Sequence, residues 1–269
     1  MTLTTLPLSE PCGTLTYREA GAGAPVVLIH GVGMQSAAWT PQIAALSATH
    51  RVIAIDMPGH GGSSALPSGS QLPAFVAWLH AVFAALDLTN VSLVGHSMGA
   101  LVTMGYAVTH PDALARAAVL NGVYRRSPQA RAAVTARADL IRTGRFDLQT
   151  PLARWFGDRP EDQAAKDQVA AWLRDVDPDG YATAYGAFAR GDDIYADRFG
   201  DITCPFLAIT GEGDLNSTPD MCKAMAAAAP DGQAVVIAGH RHMVNLTAPD
   251  AVSNALATWL ASSSEKVPS

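Results

Sequence analysis

Gly95-His96-Ser97-Met98-Gly99 is the stretch that decides the reading of this chain. The preceding Val91-Ser92-Leu93-Val94 has the short apolar pattern of a buried strand, and Met98 to His110 carries a helical pattern stopped by Pro111. The serine therefore falls on the turn between a strand and a helix. Side chains two residues to either side of it would crowd so sharp a turn, and glycine at both positions lets the chain present a hydroxyl for attack. Five loosely specified letters also recur by chance, so the assignment depends on what else the chain supplies.

Outward from the pentapeptide, Val26-Val27-Leu28-Ile29, Val52-Ile53-Ala54-Ile55, Ala117 to Leu120, Phe206 to Ile209 and Ala234 to Ile237 are further short apolar runs. Several are β-branched, as in strands covered on both faces. Trp39 to Ala48 and Ala74 to Leu86 read as helices between them. This alternation predicts an α/β fold, a mostly parallel central sheet with helices on both faces, and places ligands beyond the carboxyl ends of its strands. Thr14 to Glu19, followed by Ala20-Gly21-Ala22-Gly23, predicts an N-terminal strand in an antiparallel hairpin. The loops at His30-Gly31, Asp56 to Ser64, Ser97, Asn121-Gly122 and Gly211 to Asp214 all leave the same sheet edge.

From about Arg125 to Ile202 the rhythm breaks. Ala130 to Arg142 and Asp162 to Asp175 read as helices, Asp177-Pro178-Asp179-Gly180 as a turn between helices, and no convincing strand appears. The expected organisation is a core of residues 1–124 and 203–269 interrupted by a helical cap, residues 125–202, that excludes water and shapes a pocket. The tail from Ser262 to Ser269 reads as low in order.

The 269 residues are 49% hydrophobic, enough for a sizeable core. A net charge of -6 without any run of Lys or Arg argues against nucleic acid and anionic membrane surfaces as partners. The first residues lack a basic region followed by an apolar stretch, and no segment approaches the roughly 18 apolar residues of a membrane span, so a cytoplasmic protein is expected. Cys12, Cys204 and Cys222 are odd in number and far apart, which predicts reduced, structural thiols.

A serine hydroxyl is a poor nucleophile near neutrality, so a base must take its proton and a carboxylate must orient that base. Downstream, Thr210-Gly211-Glu212-Gly213-Asp214 follows one strand and Ala238-Gly239-His240-Arg241-His242 follows another. The order Ser97, Asp214, His242, with each on a loop at one sheet edge, is that of the α/β-hydrolase arrangement. Two histidines compete for the base: His240 follows a glycine, whereas His242 stands seven residues before Pro249 and is preferred. Asp214 is preferred to Glu212 as the acid, with Asp56 and Asp87 as more weakly placed alternatives. A His-x-His pair without a third ligand nearby does not make a metal site, and no cofactor is expected.

On these residues the chain resembles the α/β-hydrolase family over nearly its whole length. Val27-Leu28-Ile29-His30-Gly31 resembles the family's oxyanion-loop strand, Asp56-Met57-Pro58-Gly59-His60-Gly61-Gly62-Ser63 its next glycine-rich loop, and Gly95, His96 and Gly99 its nucleophile elbow. Arg154-Trp155-Phe156, preceded by Arg137 and Gly144, and His242-Met243-Val244-Asn245-Leu246 bring it nearest to the enol-lactonase and carboxylesterase group. Arg241 departs from the glycine that the resemblance leads one to expect. The N–H of the residue after the nucleophile, Met98, is one expected oxyanion donor; the resemblance implies the N–H of Val32 as the second, with His30 and His60 shaping the loop. Arg154, Trp155 and Phe156 are the expected pocket residues. Trp172, Tyr181, Tyr185 and Phe188 are further aromatic candidates, and Arg125, Arg126 or Arg154 candidate binders of a substrate carboxylate.

The expected activity is a serine hydrolase cleaving a small carboxylic ester or lactone through an acyl-enzyme. Carbon–carbon hydrolysis of a vinylogous diketone, perhydrolysis or acyl transfer on the same triad, and a non-catalytic receptor retaining the fold are the alternatives. Nucleophilic aspartate chemistry, as in dehalogenases and epoxide hydrolases, is disfavoured because a serine holds that position.

Overall fold

A strand whose successive residues are all aliphatic is satisfied only when both of its faces are covered. The central strands are covered in this way in the computed structural model, which describes residues 1–262. The described residues form one eight-stranded sheet of β1 (Thr2–Pro7), β2 (Thr14–Ala20), β3 (Pro25–Ile29), β4 (Arg51–Ile55), β5 (Val91–His96), β6 (Leu114–Leu120), β7 (Phe206–Gly211) and β8 (Gly232–Ile237). Their spatial order is β1-β2-β4-β3-β5-β6-β7-β8. Strands β3 to β8 are parallel, and β2 runs antiparallel to both β1 and β4. Val26 and Leu28 pack on one face with Val52, Ala54, Leu207 and Ile209, while Val27 and Ile29 pack on the other with Ile53, Ile55 and Leu93.

The helices are α1 (Thr40–Leu46), α2 (Leu72–Ala85), α3 (Met98–Thr109), α4 (Pro128–Arg142), α5 (Gln149–Trp155), α6 (Gln163–Asp175), α7 (Pro178–Arg190), α8 (Pro219–Ala228), α9 (Val244–Thr247) and α10 (Pro249–Ala261). α1 and α10 cover the first face, with Ile43, Leu46, Val252, Leu256 and Trp259 buried there. α2, α3 and α8 cover the second. Among the described residues no helix is long and apolar enough to cross a membrane.

Three helices open on one device, a capping side chain followed by proline in the first turn. Ser127 accepts from the Ala130 N–H before α4, Asp177 from Gly180 before α7, and Thr218 from Met221 before α8. This corrects the reading of Asp177-Pro178-Asp179-Gly180: it is the start of α7. Gly180 is tolerated in that first turn because its backbone lies against Gly59, where a Cβ would meet the Gly59 Cα at 2.6 Å. The N-terminal hairpin exists, but its second arm is β2 and its first is β1, joined through Leu8 to Gly13 rather than through the glycines after β2. The expectation for the tail lies, beyond Ser262, outside the described residues.

Because β3 sits between β4 and β5, the chain leaves the sheet in opposite directions after β3 and β5, opening a crevice between their loops. β5 ends at His96 and α3 begins at Met98, leaving Ser97 alone at φ 54°, ψ -110°. The two flanking glycines make that turn possible: a Cβ on Gly95 would strike the Gly99 carbonyl, and one on Gly99 would strike the carbonyl oxygens of Ile29 and His30. The expected outcome for Gly99→Ala is a loss of about 1–3 kcal/mol or more, read as a lowered urea midpoint at unchanged slope.

Candidate active site

The carboxyl ends of β5, β7 and β8 bring Ser97, Asp214 and His242 together, although the first lies far from the other two in sequence. The Ser97 hydroxyl lies 3.1 Å from His242 Nε2, and His242 Nδ1–H donates to Asp214 Oδ2 at 2.8 Å. All three side chains are buried. Asp214 fills its other acceptor positions with the backbone N–H groups of Asn216 and Ser217 on Oδ1 and with Asn121 Nδ2 on Oδ2. Burial pushes its pKa up, but the facing His242 and these donors outweigh that and hold the carboxyl below its ordinary value.

Asn121 is the residue whose role the sequence did not disclose. It stands at φ 50° just beyond β6, its N–H donating to Ile209 on the neighbouring strand. Its amide reaches Asp214 Oδ2 at 2.8 Å and the Arg241 carbonyl at 3.2 Å, so one side chain joins the acid loop to the histidine loop. The available signal was its place in the loop Asn121-Gly122, at the same strand edge as the acid.

The N–H groups of Val32 and Met98 find no acceptor among the described residues. Val32 lines the cavity that holds Ser97, and Met98 opens α3, where a helix leaves its first N–H groups free. The loop carrying Val32 is braced by two imidazoles. His30 donates through Nδ1 to the Gly31 carbonyl and accepts the Met57 N–H at Nε2; His60 donates to Pro58 and accepts the Gly33 N–H at 2.9 Å. Burial draws His30 down to about 4 and His60 to about 3, so both brace the loop as neutral rings. His96 is likewise drawn down to about 3, by burial and then by His242, and its Nε2–H donates to the His242 carbonyl.

His240 is not beside Ser97. Its Nε2 accepts from Arg159 and its Nδ1–H donates to Thr247 Oγ1, which leaves it a structural member of the loop. Asp56 accepts the N–H groups of Ser36 and Gly62 and so ties loops rather than facing the histidine, Asp87 is exposed in the turn after α2, and Glu212 accepts from Gly239. Among the described residues no three His, Cys, Asp or Glu side chains gather as metal ligands.

A cavity of about 370 Å³ opens at Ser97 and His242 beneath the helical segment. Arg154 and Trp155 line it, and the Trp155 ring lies over His242 with centroids 5.8 Å apart. Phe156 does not: helix α5 ends at Trp155, and the extended backbone of Phe156 turns its ring into the core. Tyr185 and Phe188 are in the wall, whereas Trp172 faces a separate cavity and Tyr181 packs against Phe146 and Tyr185. Arg125 pairs with Asp197 at the surface.

Arg126 and Arg137 complete the wall with Arg154. Arg126 spends Nη1 on Asp192 and the Phe188 carbonyl; among the described residues its buried Nη2 and the buried Nε of Arg137 have no partner. Burial draws Arg126 below its ordinary pKa while Asp192 draws it back up, and a guanidinium remains a cation at neutral pH. A net-acidic chain thus lines this cavity with three cations.

The model of the alpha/beta hydrolase family matches residues 26–255. The chain is 51% identical over 247 residues to (E)-2-((N-methylformamido)methylene)succinate hydrolase of Acinetobacter baylyi, covering 92% of this chain and 94% of that protein. Among solved structures, a thermophilic esterase from Thermogutta terrifontis superposes with a TM-score of 0.86 at 25% identity, covering 97% of this chain and 98% of that one. The enol-lactonase from Burkholderia xenovorans gives 0.85 at 25% identity, with 96% and 100% covered.

Replacing Asn121 by Ala removes a hydrogen bond to an ionised carboxylate, so kcat/KM should fall by about tenfold, for a loss of about 1.5 kcal/mol. The carboxylate is then less stabilised as an anion, and the acid limb of the pH–rate profile should move to higher pH. The buried imidazoles act on stability with a definite sign. The folded protein binds protons on His30, His60 and His96 less readily than the unfolded chain, so their contribution is intact above the ordinary value of 6.5 and is lost as pH falls from there toward about 3 to 4. Melting temperature should decline through that window, and His60→Gln should flatten the decline.

Proposed function

The chain belongs to the alpha/beta hydrolase family, and on that premise we propose that it is a serine hydrolase breaking an acyl bond in a small dicarboxylate through an acyl-enzyme. The observation that carries this reading is the sharing of one cavity by Ser97 and His242, the latter paired with Asp214, and the side chains of Arg126, Arg137 and Arg154. Guanidinium cations in a cavity wall favour an anionic ligand, and a carboxylate matches them in charge and in planar geometry. The A. baylyi relative supports the same class, since its name describes a succinate bearing an (N-methylformamido)methylene group. The esterase and enol-lactonase neighbours support acyl chemistry.

In this mechanism one substrate carboxylate docks on the arginines and sets the acyl carbon over Ser97. His242 Nε2 takes the hydroxyl proton as Oγ attacks, and Asp214 steadies the imidazolium through Nδ1–H. The negative charge that gathers on the acyl oxygen meets the N–H groups of Val32 and Met98, each worth about 10² to 10³ in turnover. His242 then returns the proton to the departing oxygen or nitrogen. A water, deprotonated by the same imidazole, releases the acyl group. The helices of residues 125–202 serve as the cap, keeping other water out and contributing the arginines.

The test compares p-nitrophenyl hemisuccinate with p-nitrophenyl acetate, and analyses the products formed from (E)-2-((N-methylformamido)methylene)succinate. Ser97→Ala and His242→Ala should each lower kcat by more than about 10³-fold, since triad members act as a unit. The hemisuccinate should be favoured by the parent enzyme, and Arg126→Leu or Arg154→Ala should shrink that preference by raising KM for the anionic ester. Equal use of the two esters would remove the dicarboxylate reading, and products separated at a carbon–carbon bond would assign the triad to that chemistry instead.

A further inference from the structure

The carboxyl end of α5 is fastened to the loop that carries His242. A helix leaves its last carbonyls without donors of its own, and here two consecutive residues after β8 supply them. Arg241 Nη1 donates to the Ala153 carbonyl at 3.1 Å and to the Phe156 carbonyl at 2.9 Å, and the His242 backbone N–H donates to the Trp155 carbonyl at 3.2 Å. The cationic guanidinium also faces the negative end of the helix dipole. Along the same seam Arg159 donates to His240 Nε2 at 2.9 Å and to the Gly239 carbonyl at 3.4 Å. The carbonyl of His242 is held from the opposite side by His96 Nε2–H at 2.9 Å. Of the two backbone hydrogen bonds that place the imidazole, one therefore belongs to the helical segment and the other to the nucleophile turn.

We propose that Arg241 is a positioning residue that, by gripping the end of α5, holds His242 in register with Ser97 and fixes Arg154 and Trp155 on the same helical turn. The proposal rests on the acyl-enzyme reading and adds that binding wall and proton carrier are set by one side chain. Arginine suits the task because its length carries one cationic nitrogen, Nη1, to both carbonyls while its stem packs over Gly213, whose added Cβ would lie 3.4 Å from Arg241 Cγ. Without it, the α5 end loses two hydrogen bonds and the His242 N–H loses a fixed acceptor, and a displacement of about 1 Å at a catalytic group costs up to about 100-fold.

The parent enzyme, Arg241→Ala and Arg241→Lys are compared by the second-order rate of Ser97 labelling with a fluorophosphonate, by kcat and KM on p-nitrophenyl hemisuccinate, and by thermal melting. Arg241→Ala should label about 10- to 100-fold more slowly, lose kcat in step, and regain rate when methylguanidinium is added. Arg241→Lys, which keeps the charge on a shorter reach, should fall between. An unchanged labelling rate in a folded Arg241→Ala overturns the proposal, as does a slow rate that methylguanidinium does not improve. If Arg241→Ala does not fold, Arg241→Lys decides, with slowing in favour and the parent rate against. Failure of the parent enzyme to label would instead strike the acyl-enzyme reading, and it is measured first.

Discussion

The structure depends on holding Ser97 in a left-handed backbone conformation that serine disfavours, at a cost of order 1–3 kcal/mol. What holds it is close backbone approach. Its N–H donates to the Leu120 carbonyl on β6, and its own carbonyl accepts from Ala100 and Leu101 in the first turn of α3. Gly95 and Gly99 let β5, α3 and the end of β3 meet without intervening side chains. That contact also sets the loop after β3 against the turn, where a Cβ on Gly31 would stand 3.0 Å from Ser97 Cβ. The serine turn and the loop after β3 are therefore placed by the same packing.

Around this turn, histidine does two kinds of work. His242 can carry a proton because its ring spans Ser97 and Asp214. His30, His60 and His96 are buried deeply enough to stay uncharged near neutrality, and each uses its ring to join two backbone segments or to hold a carbonyl. A neutral imidazole offers one donor and one acceptor at fixed separation, which suits a strut between loops that have no ladder of their own. Electrostatics follow the same local logic: the chain is acidic overall, yet Asp192 lies buried behind Arg126 and steadies a cation at the cavity wall.

Much of this was legible in the sequence because it is written in short range. Strands β3 to β7 show as continuous apolar runs since both faces are covered, and the serine turn shows because two glycines are sterically required. The order of Ser97, Asp214 and His242 follows from the strands they terminate. Strand β1 was hidden because it is an edge strand, mostly exposed, with too little core face to impose a pattern. Phe156 was misplaced because one residue past a helix end reverses the direction of a side chain. The roles of Asn121 and Arg241 depend on partners 93 and 88 residues away, and no local pattern marks a hydrogen bond of that span.

The seam between α5 and the residues after β8 bears on how such a fold can be recombined. Helical insertions are attractive modules for exchange between homologous scaffolds, since they enter and leave the sheet at one point. Here the graft boundary cannot be drawn at the sequence limits of the insertion. A donor segment brought in without its matching 239–242 loop would arrive with helix-end carbonyls and a histidine loop shaped for different mates, so the two stretches have to be exchanged together.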